Sequence, residues 1–415
     1  MSKGFYTLIA AQFISALADN ALLLIAIAIL VEWGEASWWI PLLKAMFTLS
    51  YVFLAPWMGL MSDRWPKHRV MLIANLIKLG GCIGMILGLN VIVCFSVVGL
   101  GAALYSPAKY GWITEVEPPD RLVRANGWIE VSTVSAAIFG ITLGGLLISD
   151  SFTHLQWVVL FKETLQSSHS FLIQLAMIAT LYITTLALNF YIPPSLKKYA
   201  HLSLELKKAL QQFFMDQLRL WNDFEASISL SVTTLFWGIG AVMQLLILSW
   251  AQQILGLGMD QGAYLQGCTA LGVVVGAWMA AQCISLERAS SLLWLGVLLG
   301  AVLPLLNYIS SIEIAVATTI FVGAICGFFI VPMNALLQHR GVTLLSAGKS
   351  IAIQNFNENA SVLTMMGIYS LLLYLQLSID QMIVILGVSI GLCMLLILLR
   401  HRLATNSKIF KTKVL

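Results

Sequence analysis

Asp19 stands inside a long apolar stretch, in the run Gln12-Phe13-Ile14-Ser15-Ala16-Leu17-Ala18-Asp19-Asn20. A carboxylate is costly in hydrocarbon, so one placed there marks a pathway or a partner. On a helix, Gln12, Ser15 or Ala16, Asp19 and Asn20 gather toward one face and form a polar stripe. Such a carboxylate can pair with a cationic headgroup, bind a coupling cation, hold a basic residue from a facing helix, or make an interhelical hydrogen bond in its protonated form. Lys44, Lys78 and Lys109 lie in similarly apolar runs. Lys78 is the deepest and can meet a phosphate as a point charge. Snorkelling or a structural ion pair is an equal reading for each lysine. Lys109 follows Pro107 in Tyr105-Ser106-Pro107-Ala108-Lys109-Tyr110-Gly111, where the proline can bend a helix and free carbonyls. Glu115, Glu117 and Glu130 are the acidic candidates on the same side: Glu130 reads as a partner for a lysine, Glu117 as solvated. Farther on, Gln354-Asn355-Phe356-Asn357-Glu358-Asn359 is too polar for a lipid-facing helix. Gln354 and Glu358 lie one turn apart, as do Asn355 and Asn359; they must line a cavity or lock to other helices, and the cavity is the expectation.

The chemistry of enzymes has little to work with. His68 and His339 lie at loops, His154, His169 and His201 are isolated, and none forms an acyltransferase-like His-Asp pairing or a serine-histidine constellation. Cys82, Cys94, Cys268, Cys283, Cys326 and Cys393 sit in apolar stretches without metal-ligand spacing, so packing is their expected role, with neither a disulfide nor a metal site. No cofactor is implied. The reading is a non-enzyme.

The elements that position these residues are membrane spans. Of 415 residues, 59% are hydrophobic and 10% charged, and mean hydropathy is +0.89, outside the range of soluble domains. A span takes about 20 residues, and apolar runs predict spans at 6–31, 38–61, 69–89, 91–110, 127–149 and 170–192, then 227–251, 262–285, 289–308, 312–337, 348–375 and 379–400. The expected fold is an all-α membrane protein of twelve transmembrane helices, with a six-helix half at 1–192, a linker at 193–226, a second half at 227–400 and a basic tail at 401–415. The first stretch, with its single Lys3 and internal Asp19, reads as the first helix rather than a signal peptide. The linker carries Lys197, Lys198, Lys207, Lys208 and Arg219 on a helical leucine pattern and reads as interfacial. With both termini cytoplasmic, the loops at Arg64 to Arg69, Arg121 to Arg124, Arg288 and Arg340, the linker and the tail all lie inside, and the opposite loops hold little beyond Lys162. Basic residues dispersed this way describe topology and do not suggest nucleic-acid binding.

Four matched pairs keep a nearly constant separation along the chain: Asp63-Arg64 with Glu287-Arg288, the turn at Pro107 with that at Pro332, Asn126-Gly127 with Gly348-Lys349, and Asp19 with Gln244. Two pseudo-symmetric parallel halves follow, with a cavity expected between them.

The loop Gly59-Leu60-Met61-Ser62-Asp63-Arg64-Trp65-Pro66-Lys67-His68-Arg69 resembles the signature of the major facilitator superfamily, with Pro66 in place of the usual second glycine. The resemblance implies that the aspartate meets a neighbouring helix end and basic partners, making Asp63, Arg64 and Arg69 gating candidates, to which Lys109 and Glu130 are added. Beside it, Gln12 to Ala16, Asp19 to Leu23, Tyr105 to Gly111, Ala125-Asn126-Gly127, Phe236-Trp237-Gly238, Pro332 to Gln338 and Ile353-Gln354-Asn355 together resemble the bacterial lysophospholipid transporters over nearly the whole chain. That resemblance implies movement of lysophosphatidylethanolamine and related single-chain lipids from the outer to the inner leaflet of the bacterial inner membrane. The implied partner is a cytoplasmic acyltransferase/acyl carrier protein synthetase. Asp19, Asn20, Lys78, Gln244, Gln354, Asn355 and Glu358 are the candidate translocation residues. Gln244 stands where the family is expected to carry an arginine, and a glutamine supplies no charge to balance Asp19. Either another base, such as Lys78 or Lys44, substitutes, or the headgroup preference differs. The alternative on the same fold is a proton-coupled exporter of amphipathic drugs.

Overall fold

A chain in hydrocarbon must satisfy its backbone hydrogen bonds internally, and a helix does so within one segment. The computed structural model describes residues 2–35, 39–156, 158, 171–195, 205–257 and 259–414, and among them the long elements are all helices and no strand occurs. In chain order the main helices are α1 (Lys3–Glu32), α2 (Trp39–Phe53), α3 (Ala55–Arg64), α4 (Lys67–Ile86), α5 (Val91–Val116), α6 (Leu122–Ile148), α7 (Leu172–Phe190), α8 (Leu206–Asn222), α9 (Phe224–Gln253), α10 (Met259–Cys283), α11 (Leu293–Val302, flanked by 3₁₀ turns), α12 (Ile312–Leu344), α13 (Ala347–Tyr374) and α14 (Ile379–Val414). Lys162, Lys197, Lys198, His169 and His201 lie outside the described residues.

Ten segments among the described residues are long and apolar enough to cross a membrane, and α2 with α3, bent by 60° at their break, makes an eleventh. Pro56, one residue inside α3, fits this break, since its ring cannot continue the preceding helix. The twelfth expected span is α13, a 28-residue helix whose Gln354 to Asn359 run keeps it below the apolarity of a lipid-facing span. Pro107 and Pro332 lie inside α5 and α12 without ending them. Side chains mark several starts: Ser2 accepts the Phe5 N–H, Asn90 those of Ile92 and Val93, and Asp223 that of Ala226.

The chain forms two compact units that do not follow the midpoint of the sequence. One comprises Met1–Pro118, Ser132–Gln217 and Gly341–Phe356, the other Pro119–Val131, Leu218–Arg340 and Asn357–Leu415. The first is built on Leu22, Ile25, Leu43, Met85, Phe95, Val98, Ile178 and Tyr182. The second packs Trp250, Leu293, Leu299, Phe329, Met382 and Ile383. Trp250 sits in that core with its indole N–H donating to the Leu306 carbonyl at 3.1 Å.

Lipid tails are as apolar as leucine, so helices gain by approaching closely, and small residues permit it. Within the second unit, Gly272 and Gly276 of α10 face the backbone of α12 at Ile320 and Ala324, while Gly323 and Gly327 of α12 face α10 at Thr269 and Val273. Each helix thus presents a Gly-x-x-x-Gly pair to the other, and a Cβ at any of the four positions would overlap main-chain atoms. Gly276→Val is therefore expected to destabilise the protein by about 3 kcal/mol or more. Gly145→Val, where a Cβ meets nothing within 4 Å, should be nearly silent, and thermal unfolding in detergent compares the two.

Candidate functional site

The polar stripe of α1 is used in rungs, met by side chains of α4, α5, α6 and α7. Asp19 receives the Lys78 ammonium of α4 at 2.6 Å and the Tyr182 hydroxyl of α7 at 2.8 Å. One turn back, Ser15 accepts from Lys78 at 3.0 Å and donates to Asn75 at 2.9 Å. Ser15 and Asp19 are four apart on α1, Asn75 and Lys78 three apart on α4, so two helix faces meet in register. Gln12 accepts from Lys109 of α5 at 2.9 Å and donates to Thr133 of α6 at 2.7 Å. Lys78 is 3% exposed and Asp19 15%, so the pair lies in a low-dielectric setting with a small opening at the carboxylate. Asn20 leaves the stripe and donates to the Ala16 carbonyl of its own helix.

Aromatic rings complete the surroundings of the lysines. The Lys78 ammonium lies 5.4 Å from the Tyr105 ring centre, and that of Lys109 lies 4.3 Å from the ring of Tyr110. The Tyr105 hydroxyl is buried and has no hydrogen-bond partner among the described residues. Gly101 lets α4 come close: a Cβ there would lie 2.6 Å from the Ala74 carbonyl and 2.7 Å from Cγ of Lys78. Lys78 is thus the base that balances Asp19. Lys44 is exposed, and Gln244 is exposed on α9, its carbonyl accepting from Gln266.

A second constellation in the first unit surrounds Asp63, whose side chain is fully buried at the end of α3. It accepts the backbone N–H groups of Gly348 at 2.9 Å and Lys349 at 3.2 Å, the Ser346 hydroxyl, and the Lys67 ammonium at 2.7 Å. Gly348 and Lys349 belong to the first turn of α13, whose exposed N–H groups and dipole favour an anion. Asp63 therefore serves as the cap of a helix distant in sequence. Gly59, one turn earlier, allows the approach, since a Cβ there would meet Ala352 and the Gly348 carbonyl at 2.9 and 3.0 Å. Lys67 also donates to the Ser62 carbonyl and lies 3.4 Å from Glu115 of α5. Arg64 and Arg69 are exposed, and the base beside Asp63 is Lys67. Reading the motif by its arginines missed Lys67, although its four-residue spacing from Asp63 was the available signal.

Other positions are resolved individually. Asn355 exchanges hydrogen bonds with Ser106, joining α13 to the Pro107 segment at 2.9 and 3.3 Å. Gln354, Glu358, Lys109 and Glu130 are buried. Glu117 corrects the solvated reading: it is buried and accepts from the N–H and hydroxyl of Ser2, both at 3.2 Å. Glu287 and Arg288, the repeat partners of Asp63 and Arg64, are exposed. In the second unit Asn126 and Gln338 form a reciprocal amide pair at 2.9 Å, and Arg340 lies in α12, where it clamps Asp223 at 2.6 and 3.3 Å and reaches Glu225 at 3.3 Å.

A helical membrane chain with buried charges of opposite sign, and an aspartate that caps a helix remote in sequence, has the form of a transporter. The chain belongs to the Major Facilitator Superfamily, matching that family over residues 8–363. It is 38% identical over 372 residues to the lysophospholipid transporter LplT of Salmonella enteritidis PT4, covering 89% of this chain and 88% of that one. Its fold is shared with the human organic anion transporter MFSD10, at a TM-score of 0.72 and 12% identity over 96% of this chain and all of that one. The transporter FucP in its outward conformation superposes at 0.69, with 16% identity over 96% of this chain and 98% of that one. The chain is a multi-pass membrane transporter and not an enzyme.

Burial pushes the Asp223 carboxyl upward, but the Arg340 hydrogen bonds and charge, with the Ala226 N–H, outweigh it and hold the group below the ordinary carboxylate value. A lowered folded-state value means that this stabilisation is complete above the ordinary value and is lost as pH falls through the folded one. Thermal unfolding followed from about pH 7 down to about pH 2 is expected to show an acid loss in the wild type that is smaller in Asp223→Asn, which should already be less stable at neutral pH.

Proposed function

We propose that the chain carries lysophospholipids, lysophosphatidylethanolamine foremost, from the outer to the inner leaflet of a bacterial inner membrane. There a cytoplasmic acyltransferase/acyl carrier protein synthetase restores the second chain. The similarity to lysophospholipid transporters along 89% of the chain carries this reading. The dispersion of lysine and arginine supports cytoplasmic termini, with the Asp63 latch on the inner side.

The Asp19–Lys78 pair supplies the chemistry. Separating a buried pair leaves two uncompensated charges and costs several kcal/mol. A zwitterionic headgroup brings one charge of each sign: its ammonium takes the place of Lys78 at Asp19, and its phosphate takes the freed Lys78. The buried Tyr105 hydroxyl is the further donor for a phosphate oxygen. An amphiphile with a single charge satisfies only one partner and leaves the other bare, at about 3–5 kcal/mol. The single acyl chain stays against apolar helix faces, which shelters less apolar volume than two chains would need. Gln244, Gln354, Asn355 and Glu358 complete the proposed path. Two six-helix halves joined by the linker rock about it, with Asp63, Lys109 and Glu130 among the groups that hold the closed state.

Uptake and reacylation of labelled lysophosphatidylethanolamine by spheroplasts lacking their own transporter tests this. Wild type is expected to support uptake, Asp19→Asn and Lys78→Met to lose at least about tenfold, and Tyr105→Phe to lose about three- to tenfold, in keeping with one unmade hydrogen bond. Gln244→Arg should keep uptake and shift preference toward anionic headgroups. No lysolipid uptake by folded wild type, with pH-driven efflux of a cationic amphiphile instead, would place the drug-exporter alternative first.

A further inference from the structure

Helix α8 in the linker has two faces of opposite character. Ala209, Phe213, Asp216 and Leu220 recur at helical spacing and are all buried. On the other side Phe214, Met215 and Leu218 are 59%, 50% and 56% exposed, interleaved with exposed Lys207, Lys208 and Arg219. Glu205 is the acidic residue beside them and lies 2.9 Å from Lys208. The buried face does more than pack. Asp216, its side chain 2% exposed, accepts from Gln212 at 2.8 Å and forms an ion pair with Lys349 at 3.0 Å. The backbone N–H of that same Lys349 is one of the two that Asp63 caps. Phe213 meets the Phe356 ring at 5.3 Å, one further tie between α8 and α13.

We propose that α8 is a strap that reads the charge of the leaflet: its exposed face docks on anionic lipid headgroups, and its buried face, through Asp216–Lys349, holds the start of α13 where Asp63 caps it. The occupant follows from the pattern. Apolar side chains flanked by lysine and arginine on an interfacial helix fit the boundary between headgroups and acyl chains, and each basic residue near an anionic surface contributes about 1 kcal/mol. The membrane is also the one surface that a linker between spans always has beside it. An anionic leaflet then favours the latched state, and a neutral one lets the Lys349 segment loosen. The coupling rests on the latch reading of Asp63; the docking does not, and neither depends on the cargo.

The full chain, with its six native cysteines replaced and Met215→Cys carrying an environment-sensitive dye, is reconstituted into phosphatidylcholine vesicles with and without phosphatidylglycerol. A blue shift is expected only with phosphatidylglycerol, and it should be lost in Lys207→Glu/Lys208→Glu/Arg219→Glu. Equal emission in both vesicles, or a shift indifferent to that triple change, overturns the docking. A shift produced by soluble polyglutamate and not by phosphatidylglycerol overturns the lipid as occupant. Amide hydrogen exchange at Gly348 and Lys349 reads the coupling. It should be slower in anionic vesicles and about tenfold faster in Asp216→Asn, with protection recovered in Asp216→Lys/Lys349→Asp. Folded Asp216→Asn exchanging like wild type overturns the coupling. Asp63→Asn run in parallel should also quicken exchange; if it does not, the latch fails and the coupling with it, while the dye still decides the docking.

Discussion

Hydrocarbon solvates charge so poorly that an ionisable group within it must either be neutral or meet its complement. The arrangement of the first unit follows from this constraint at Asp19. Four helices contribute around one carboxylate and one ammonium: α1 and α4 supply the pair, α7 the Tyr182 hydroxyl, and α5 the Tyr105 ring. The backbone approach at Gly101 and the Ser15–Asn75 rung hold the register in which the pair closes. A buried ion pair is weak as a source of stability, because desolvation offsets most of its attraction. In the proposed function its use lies elsewhere: two charges that must remain matched can be exchanged only for a ligand that matches them too.

The same electrostatic logic recurs at Asp63, in a form suited to switching. Its carboxylate is met by two backbone N–H groups, a hydroxyl and an ammonium, so one side chain joins α3 and α4 to the first turn of α13. Charge-assisted bonds of this kind are strong while water is excluded and weaken sharply once it enters. In the proposed cycle that contrast makes the closed state definite and its release possible. Lys349 extends the arrangement to the linker, because its main chain serves Asp63 while its side chain serves Asp216.

Much of this was legible in the chain itself. Apolar runs of span length marked the helical segments, ten of them and the bent α2–α3 pair, among the described residues, long and apolar enough to cross a membrane, because a continuous apolar run of that length can satisfy its own backbone only as a helix. Asp19 and Lys78 stood out by type and place, and Lys78 was one of two lysines offered to balance the carboxylate; the choice between them was not legible, since it depends on which lysine is buried against α1. Glu117 misled for a related reason: it reads as a loop acid, yet the start of the chain returns to cover it through Ser2. The two Gly-x-x-x-Gly pairs of α10 and α12 went unread in the sequence, because the spacing has meaning only once the helices are known to be neighbours. Lys67 was hidden beside two arginines of the same loop, and burial, which sequence does not report, separated it from them.

The central claim is that a matched pair of buried charges selects a cargo carrying both signs. The most direct measurement is the binding isotherm of lysophosphatidylethanolamine to the purified protein in nanodiscs, comparing wild type with the doubly neutral Asp19→Asn/Lys78→Met variant. The account predicts that the double variant keeps its thermal stability within about 1–2 kcal/mol, as removal of both members of a buried pair allows, and loses the lipid by at least about a hundredfold. Equal affinity for lysophosphatidylethanolamine in the folded neutral variant would contradict it.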